Sequence, residues 1–140
     1  MLDSILIDSG PLIALFDSSD KHHRGIRSFL KKNPFRYIST VAVFTEVSHM
    51  LDFNTAVQRD FYEWIMRKGV IIGDINQNDI LRIVELTEKY SNLPMDFADA
   101  TLVITAEKTG IRKIISIDRD FDIYRLPGKE QIRNLYKKHA

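Results

Sequence analysis

Acidic residues stand beside the apolar segments of this chain at spacings that suit metal chemistry. In MDFADA (95–100), Asp96 and Asp99 lie three residues apart, immediately before the apolar run TLVITA (101–106). One interpretation is structural, because an Asp at a helix N-cap and another in the first turn both favour the start of a helix. The other is chemical, because carboxylates held close together bind a hard divalent cation such as Mg²⁺.

Three further acids strengthen the chemical interpretation. Asp8 ends the first apolar run, Asp118 follows the last one, and Glu46 lies within a helical segment on or near its apolar face. Each acid alone fits a structural role: a turn, a local ion pair with Arg119, or a helix-surface pair with His49. Together they repel, by roughly 3 kcal/mol for two carboxylates ~5 Å apart at an effective dielectric of about 20. A converging set therefore needs a cation or bound protons, and an all-oxygen set suits Mg²⁺ or Mn²⁺ better than zinc.

The order of predicted elements would bring these acids to one edge of a sheet. Short apolar runs that read as strands alternate with segments of helical periodicity. The predicted strands are 4–8, 36–40, 70–73 and 113–117. The predicted helices are 11–16, 20–32, 41–51, 55–67, one from Asn76 or Asn78 to about residue 90, and 96–110. This alternation predicts one α/β domain over residues 1–140, with a central, mostly parallel sheet flanked by helices.

Functional groups of such sheets collect beyond the carboxyl ends of the strands. Asp8 and Asp118 both occupy that position, and Asp99 lies in the first turn of the helix that leads into the last predicted strand. The segment after Pro127 gives no clear prediction beyond an edge strand or a tail. We therefore expect the acids to converge at the carboxyl edge.

Composition narrows the class of protein. The hydrophobic fraction of 44% and the charged fraction of 28% are ordinary for a globular domain, and the absence of cysteine excludes disulfides and thiolate metal sites. The N-terminus lacks the features of a signal peptide, and no segment approaches the ~20 apolar residues of a membrane span. A cytoplasmic location with no membrane partner is expected.

Basic residues are unevenly distributed although the net charge is only +1. They concentrate in residues 21–36 and again towards the C-terminus, at Lys129, Arg133, Lys137, Lys138 and His139. Basic groups around an acidic centre suit a polyanion held by its phosphates, although solvated helix faces are the preferred explanation of the basic runs taken alone.

Four stretches of the chain resemble PIN-domain ribonucleases of the kind found as VapC-type toxins of toxin–antitoxin modules. They are ILIDSGPLIALFD (5–17), STVAVFTEVSHML (39–51), MDFADATLVITAEKTG (95–110) and IISIDRDFDIYR (114–125), in the order of the family. The resemblance implies a metal-dependent endoribonuclease that hydrolyses RNA phosphodiester bonds.

The resemblance also assigns roles to single residues. The catalytic and metal-binding acids would be Asp8, Glu46, Asp99 and Asp118. Supporting residues would be Asp96, Asp120, Ser9 and Ser116. The implied cofactor is Mg²⁺ or Mn²⁺, and the implied partners are an RNA substrate, a second copy in a homodimer, and a cognate antitoxin whose C-terminal segment occupies the groove near the metals.

Three alternatives stay open from the sequence. The chain could be a PIN nuclease of RNA processing or decay without an antitoxin, or a catalytically silent PIN-like module that binds RNA or protein. A receiver-like phosphoacceptor domain also gathers acids at strand ends, but it needs a lysine at the end of a late strand, and Lys113 begins its strand instead.

Overall fold

Strands and helices alternate along residues 2–93 and 95–136, which the computed structural model describes. The strands are β1 (Ser4–Ile7), β2 (Arg36–Ser39), β3 (Ile71–Ile72), β4 (Lys113–Ile115), β5 (Arg125–Leu126), β6 (Glu130–Gln131) and β7 (Arg133–Asn134). The helices are α1 (Ser9–Phe16), α2 (His23–Lys32), α3 (Val41–Met50), α4 (Thr55–Met66), α5 (Ile80–Lys89), α6 (Phe97–Thr109) and α7 (Asp120–Ile123). The predicted α/β class is confirmed.

Five of these strands form one sheet in the order β3-β2-β1-β4-β7. Every neighbouring pair in it is parallel, and Leu6 of the central strand pairs with Ile38 on one side and Ile114 on the other. The strands β5 and β6 form a separate antiparallel pair. The sheet flanked by helices therefore matches the prediction, with all four predicted strands in it.

The middle of the sheet forms the centre of the hydrophobic core. Ile5, Leu6 and Ile7 of β1 are completely buried, as are Ile114 and Ile115 of β4. A parallel strand covered on both faces by helices has no solvent-facing side, which is why these runs are continuously apolar. The polar residues that directly follow these strands therefore stand at the first place where the chain leaves the core.

Polar residues at the carboxyl edge also begin the helices. Asp8 caps α1 by accepting the Ser9 N–H at 2.7 Å, Thr40 caps α3, and Asp96 caps α6 by accepting the Asp99 N–H at 2.7 Å. At the far end of α6, Gly110 adopts a left-handed conformation with φ of 81°, which suits a residue without Cβ.

Two predicted helix starts were wrong. The helix predicted from Pro11 begins at Ser9, because Asp8 supplies a cap two residues earlier. The helix predicted from Asp20 begins at His23, because the Asp20 carboxylate instead accepts the His22 N–H at 2.8 Å in the preceding turn.

The segment after Pro127 completes the sheet at its edge. Asn134 of β7 pairs with Ile114, and Tyr136 packs edge-on against Phe29 of α2 at a centroid distance of 5.4 Å. The basic residues Lys137, Lys138 and His139 lie outside the described residues. None of the described helices combines the length and the apolar character that crossing a membrane requires.

Candidate functional site

Asp8 and Asp118 meet across the adjacent ends of β1 and β4. Ile7 pairs with Ile115, so the residues that follow these strands leave the sheet side by side. The buried hydroxyl of Ser116 donates a hydrogen bond to Asp8 Oδ2 at 3.1 Å and lies 3.4 Å from Asp118 Oδ1. One serine thus stands between two of the predicted ligands.

The start of α6 adds Asp96 and Asp99, and it gives them different environments. The Asp96 side chain is exposed and caps the helix. The Asp99 side chain is only 8% exposed, and its Oδ2 accepts a hydrogen bond from the Tyr124 hydroxyl at 2.8 Å. The structure therefore confirms the capping role of Asp96, and it shows that Asp99 is the acid of the pair that turns inward.

Glu46 faces this same group of acids from α3. Its half-buried side chain has a raised pKa, first because of burial and then because of the charge and hydrogen-bonding of Asp96, while the Ser9 side chain acts in the opposite direction. The alternative pairing with His49 does not occur, since the imidazole of His49 instead lies 3.9 Å from Asp52.

Asp120 extends the group on the side of Asp118. Its backbone N–H donates to Asp118 Oδ1 at 3.0 Å, and burial together with the charges of Asp118 and Asp96 raises the pKa of its half-buried carboxyl. The acid cluster, as we call it from here, comprises Asp8, Glu46, Asp96, Asp99, Asp118 and Asp120.

The two buried members of the acid cluster hold their protons unusually strongly. Burial, the largest cause, and the charges of Asp118 and Glu46 raise the pKa of Asp8 to about 7, although the Ser9 N–H and the Ser116 hydroxyl oppose the shift. Burial and the charges of Asp8, Asp96 and Asp118 raise the pKa of Asp99 to about 8, although the Tyr124 hydroxyl opposes it. A positive charge bound nearby would favour the deprotonated form of both carboxyl groups.

The described part of the chain supplies no such charge from its own side chains. Among the described residues, no member of the acid cluster forms an ion pair with a Lys, Arg or His. By contrast, Glu107, which lies in α6 with Asp99, forms an ion pair with Arg82 at 2.8 Å. Buried carboxylates are ordinarily paired or coordinate a metal. The donor set, carboxylates with two serine hydroxyls, is the oxygen set that Mg²⁺ or Mn²⁺ prefers.

The side chains of the acid cluster lie near one another, but they do not surround a single point that an ion could occupy. Within residues 2–93 and 95–136, no three Asp, Glu or His side chains are arranged so that they would hold a single ion together. The described side chains supply the oxygen donors that a hard divalent cation prefers, but they do not form a coordination set around one position.

One residue of this site escaped the sequence analysis. Tyr124 lies 25 residues beyond Asp99, and nothing in the local pattern connects the two positions. The only available signal was an aromatic residue with a hydroxyl at the end of the acid-rich stretch 118–125. A contact between elements that are distant in the chain is set by packing, which periodicity does not report.

Sequence and structure comparisons relate this chain to known proteins. Curated protein sequences give no significant match. Among solved structures, the fold matches the crystal structure of Mycobacterium tuberculosis VapC20, described as a sarcin-ricin loop cleaving toxin. The TM-score is 0.77 at 17% sequence identity, over 85% of this chain and 93% of that chain. The profile of the PIN domain matches residues 5–126. That match spans most of the sequence and confirms the resemblance seen in its motifs: this chain belongs to the PIN domain family.

Proposed function

We propose that this protein is a metal-dependent endoribonuclease that hydrolyses RNA phosphodiester bonds. The observation that carries the proposal is the acid cluster, in which Asp8 and Asp99 are buried, yet no cationic side chain of the described residues neutralises them. Membership of the PIN domain family supports it, since the family resemblance implies this chemistry.

The proposed ligands are Asp8, Asp99 and Asp118, with Glu46 as a fourth ligand or as the base that orients the attacking water. Mg²⁺ or Mn²⁺ held there would lower the pKa of a bound water and offset charge that develops on the phosphate oxygens. The chain itself fixes the acids: the Ser116 hydroxyl holds Asp8, and the Asp96 cap holds the first turn that carries Asp99. Asp118 and Asp96 are exposed, so a substrate reaches the cluster from solvent.

The proposed substrate is RNA, and the proposed role is that of a toxin with a cognate antitoxin. The description of VapC20 as a sarcin-ricin loop cleaving toxin supports both, together with the similarity of fold. A homodimer belongs to the same proposal. The intact acids favour an active nuclease over a silent module. The receiver-like alternative lacks its lysine, because Lys113 begins β4 and lies 3.5 Å from Asp3, which precedes β1 at the opposite edge of the sheet.

Metal dependence of RNA cleavage tests this proposal. We expect the purified protein to cleave a pool of structured and single-stranded RNAs in Mg²⁺ or Mn²⁺, and cleavage to stop when EDTA removes the cation. Gel analysis of end-labelled RNA measures it. Cleavage that persists in EDTA would contradict the proposed chemistry, and co-expression with the product of an adjacent small gene tests the antitoxin separately.

An exposed aromatic side chain beside the acid cluster leads to a prediction about RNA binding. Phe97 begins α6 between Asp96 and Asp99, and its side chain is 54% exposed. Base–aromatic stacking contributes about 1–3 kcal/mol per base, so Phe97→Ala should weaken binding of single-stranded RNA roughly 5- to 150-fold, while Phe97→Trp should retain it. Fluorescence anisotropy of a labelled oligoribonucleotide in Ca²⁺ measures the affinity.

A matched control distinguishes stacking from a general loss of apolar surface. Phe53, just beyond α3, is 59% exposed and has no place in the acid cluster, so Phe53→Ala should leave the affinity unchanged. Equal affinities for the two alanine variants would exclude a specific role for Phe97.

A further inference from the structure

A buried tyrosine holds one oxygen of Asp99. Tyr124, between α7 and β5, is only 1% exposed, and its hydroxyl donates to Asp99 Oδ2 at 2.8 Å. Among the described residues, no donor binds the other carboxylate oxygen of Asp99. The contact therefore fixes one oxygen and leaves the second available to a further ligand.

The position of this hydroxyl is itself fixed by packing. The Tyr124 ring stands edge-on to Tyr90 at 5.0 Å and to Phe121 at 5.2 Å. The Tyr90 hydroxyl accepts the backbone N–H of Arg125 at 2.7 Å, which ties the adjoining backbone to the end of α5. The neighbouring aromatic rings fix the Tyr124 ring, and the hydrogen bond to Tyr90 fixes the adjoining backbone. The position of the Tyr124 hydroxyl donor is therefore fixed as well.

Packing alone does not account for a tyrosine here. A phenylalanine ring would fill the space of the Tyr124 ring, and the neighbouring aromatic residue is indeed Phe121. A phenylalanine would also bury no polar group that needs a hydrogen-bond partner. The hydroxyl finds its partner in the one buried acid of α6, which points to a role for the hydroxyl in that acid's orientation.

We propose that Tyr124 is a positioning residue of the candidate metal centre, which orients the Asp99 carboxylate so that its free oxygen faces a divalent cation. This inference rests on the proposed function and deepens it by adding a residue outside the acidic set. Removal of a hydrogen-bond partner that orients a metal ligand commonly lowers the metal affinity 10–100-fold.

Direct measurement of Mn²⁺ binding tests the inference without relying on cleavage. Titration followed by electron paramagnetic resonance would give the Mn²⁺ affinity of the wild type, Tyr124→Phe, Tyr37→Phe and Asp99→Asn. We expect Tyr124→Phe to bind Mn²⁺ about 10–100-fold more weakly than the wild type. Tyr37 is the matched control, because it is also buried and its hydroxyl donates to Asn33 O at 2.7 Å, away from the acids. Its variant should bind as the wild type does.

The outcomes separate this inference from the proposed function. Wild-type affinity in Tyr124→Phe, with binding lost in Asp99→Asn, would overturn the role of Tyr124 alone. A wild type that binds no Mn²⁺, or an Asp99→Asn variant that binds normally, would overturn the proposed metal centre and this inference with it.

A spectroscopic measurement on the wild type covers the case in which Tyr124→Phe does not fold. Saturation with Mg²⁺ should perturb the tyrosine absorption band, since the carboxylate that accepts the Tyr124 hydrogen bond then also faces a cation, and Asp99→Asn should show no perturbation. A spectrum that stays unchanged while the Mn²⁺ titration of the wild type shows an occupied site would overturn the inference alone.

Discussion

Replacing Asp99 by Asn should abolish RNA cleavage, with a fall in rate of at least about 1,000-fold. A cation bound at the acid cluster would contribute several kcal/mol of charge stabilisation in the transition state, and about 4 kcal/mol corresponds to that factor. Asparagine keeps the size of the side chain and an oxygen that can accept the Tyr124 hydrogen bond, but it removes the negative charge. Initial rates on end-labelled RNA in Mg²⁺, with Mn²⁺ affinity beside them, measure the effect.

Asp8→Asn should have an effect of similar size for the same reason. The variant should fold, because asparagine caps a helix as well as aspartate does, and the cap on α1 needs only an oxygen acceptor for the Ser9 N–H. Loss of activity in this variant therefore reports on charge at the site rather than on the integrity of α1.

Asp122→Asn provides the matched control for both variants. Asp122 lies in α7 within the same acid-rich stretch, but its side chain is exposed and it is not part of the acid cluster. Its variant should cleave at the wild-type rate. Full activity in Asp8→Asn and Asp99→Asn would show that the hydrolysis arises elsewhere, and it would refute the assignment of the site.

The placement of Asp8 and Asp118 could be predicted from the sequence because it depends on one robust rule. Continuous apolar runs bounded by turn residues indicate buried parallel strands, and a residue that directly follows such a strand must emerge at the carboxyl edge. Ile7 and Ile115 are paired neighbours in the structure, so Asp8, directly after β1, lies beside the turn after β4 that carries Asp118, although β4 ends at Ile115 and not at the predicted residue 117. The capping role of Asp96 could be predicted for a different, local reason, because a helix cap depends only on residues that are adjacent in the sequence.

The environment of Glu46 could not be predicted in the same way. A residue near the boundary of an apolar helix face turns inward or outward according to the rotation of the whole helix, and the packing of α3 on its neighbours sets that rotation. The structure leaves Glu46 half-buried and beside Asp96 rather than beside His49. The contact of Tyr124 with Asp99 is harder still to anticipate, because α6, β4 and α7 must all be in place before the two side chains meet.

Thermal stability in EDTA should fall as the pH rises from about 5 to about 9. The folded pKa values of Asp8, about 7, and Asp99, about 8, both lie above the ordinary value of 3.8 for an aspartate. The folded state therefore binds more protons than the unfolded state between these values, so its stability decreases with pH across this window. The stabilisation is complete below about pH 4 and is lost as the pH passes through 7 and 8. Melting temperatures across this range measure the effect.

Mg²⁺ should reverse this loss, and most strongly at the alkaline end. Protons would compete with a cation bound by the same carboxylates, so the increase in melting temperature caused by Mg²⁺ should be small near pH 5 and large near pH 9. The double variant Asp8→Asn, Asp99→Asn lacks both buried charges. In EDTA it should melt at a higher temperature than the wild type above about pH 8, with a flatter pH dependence and little response to Mg²⁺. A double variant that matched the wild type in all three respects would show that these two acids are neither strained by their burial nor compensated by a cation.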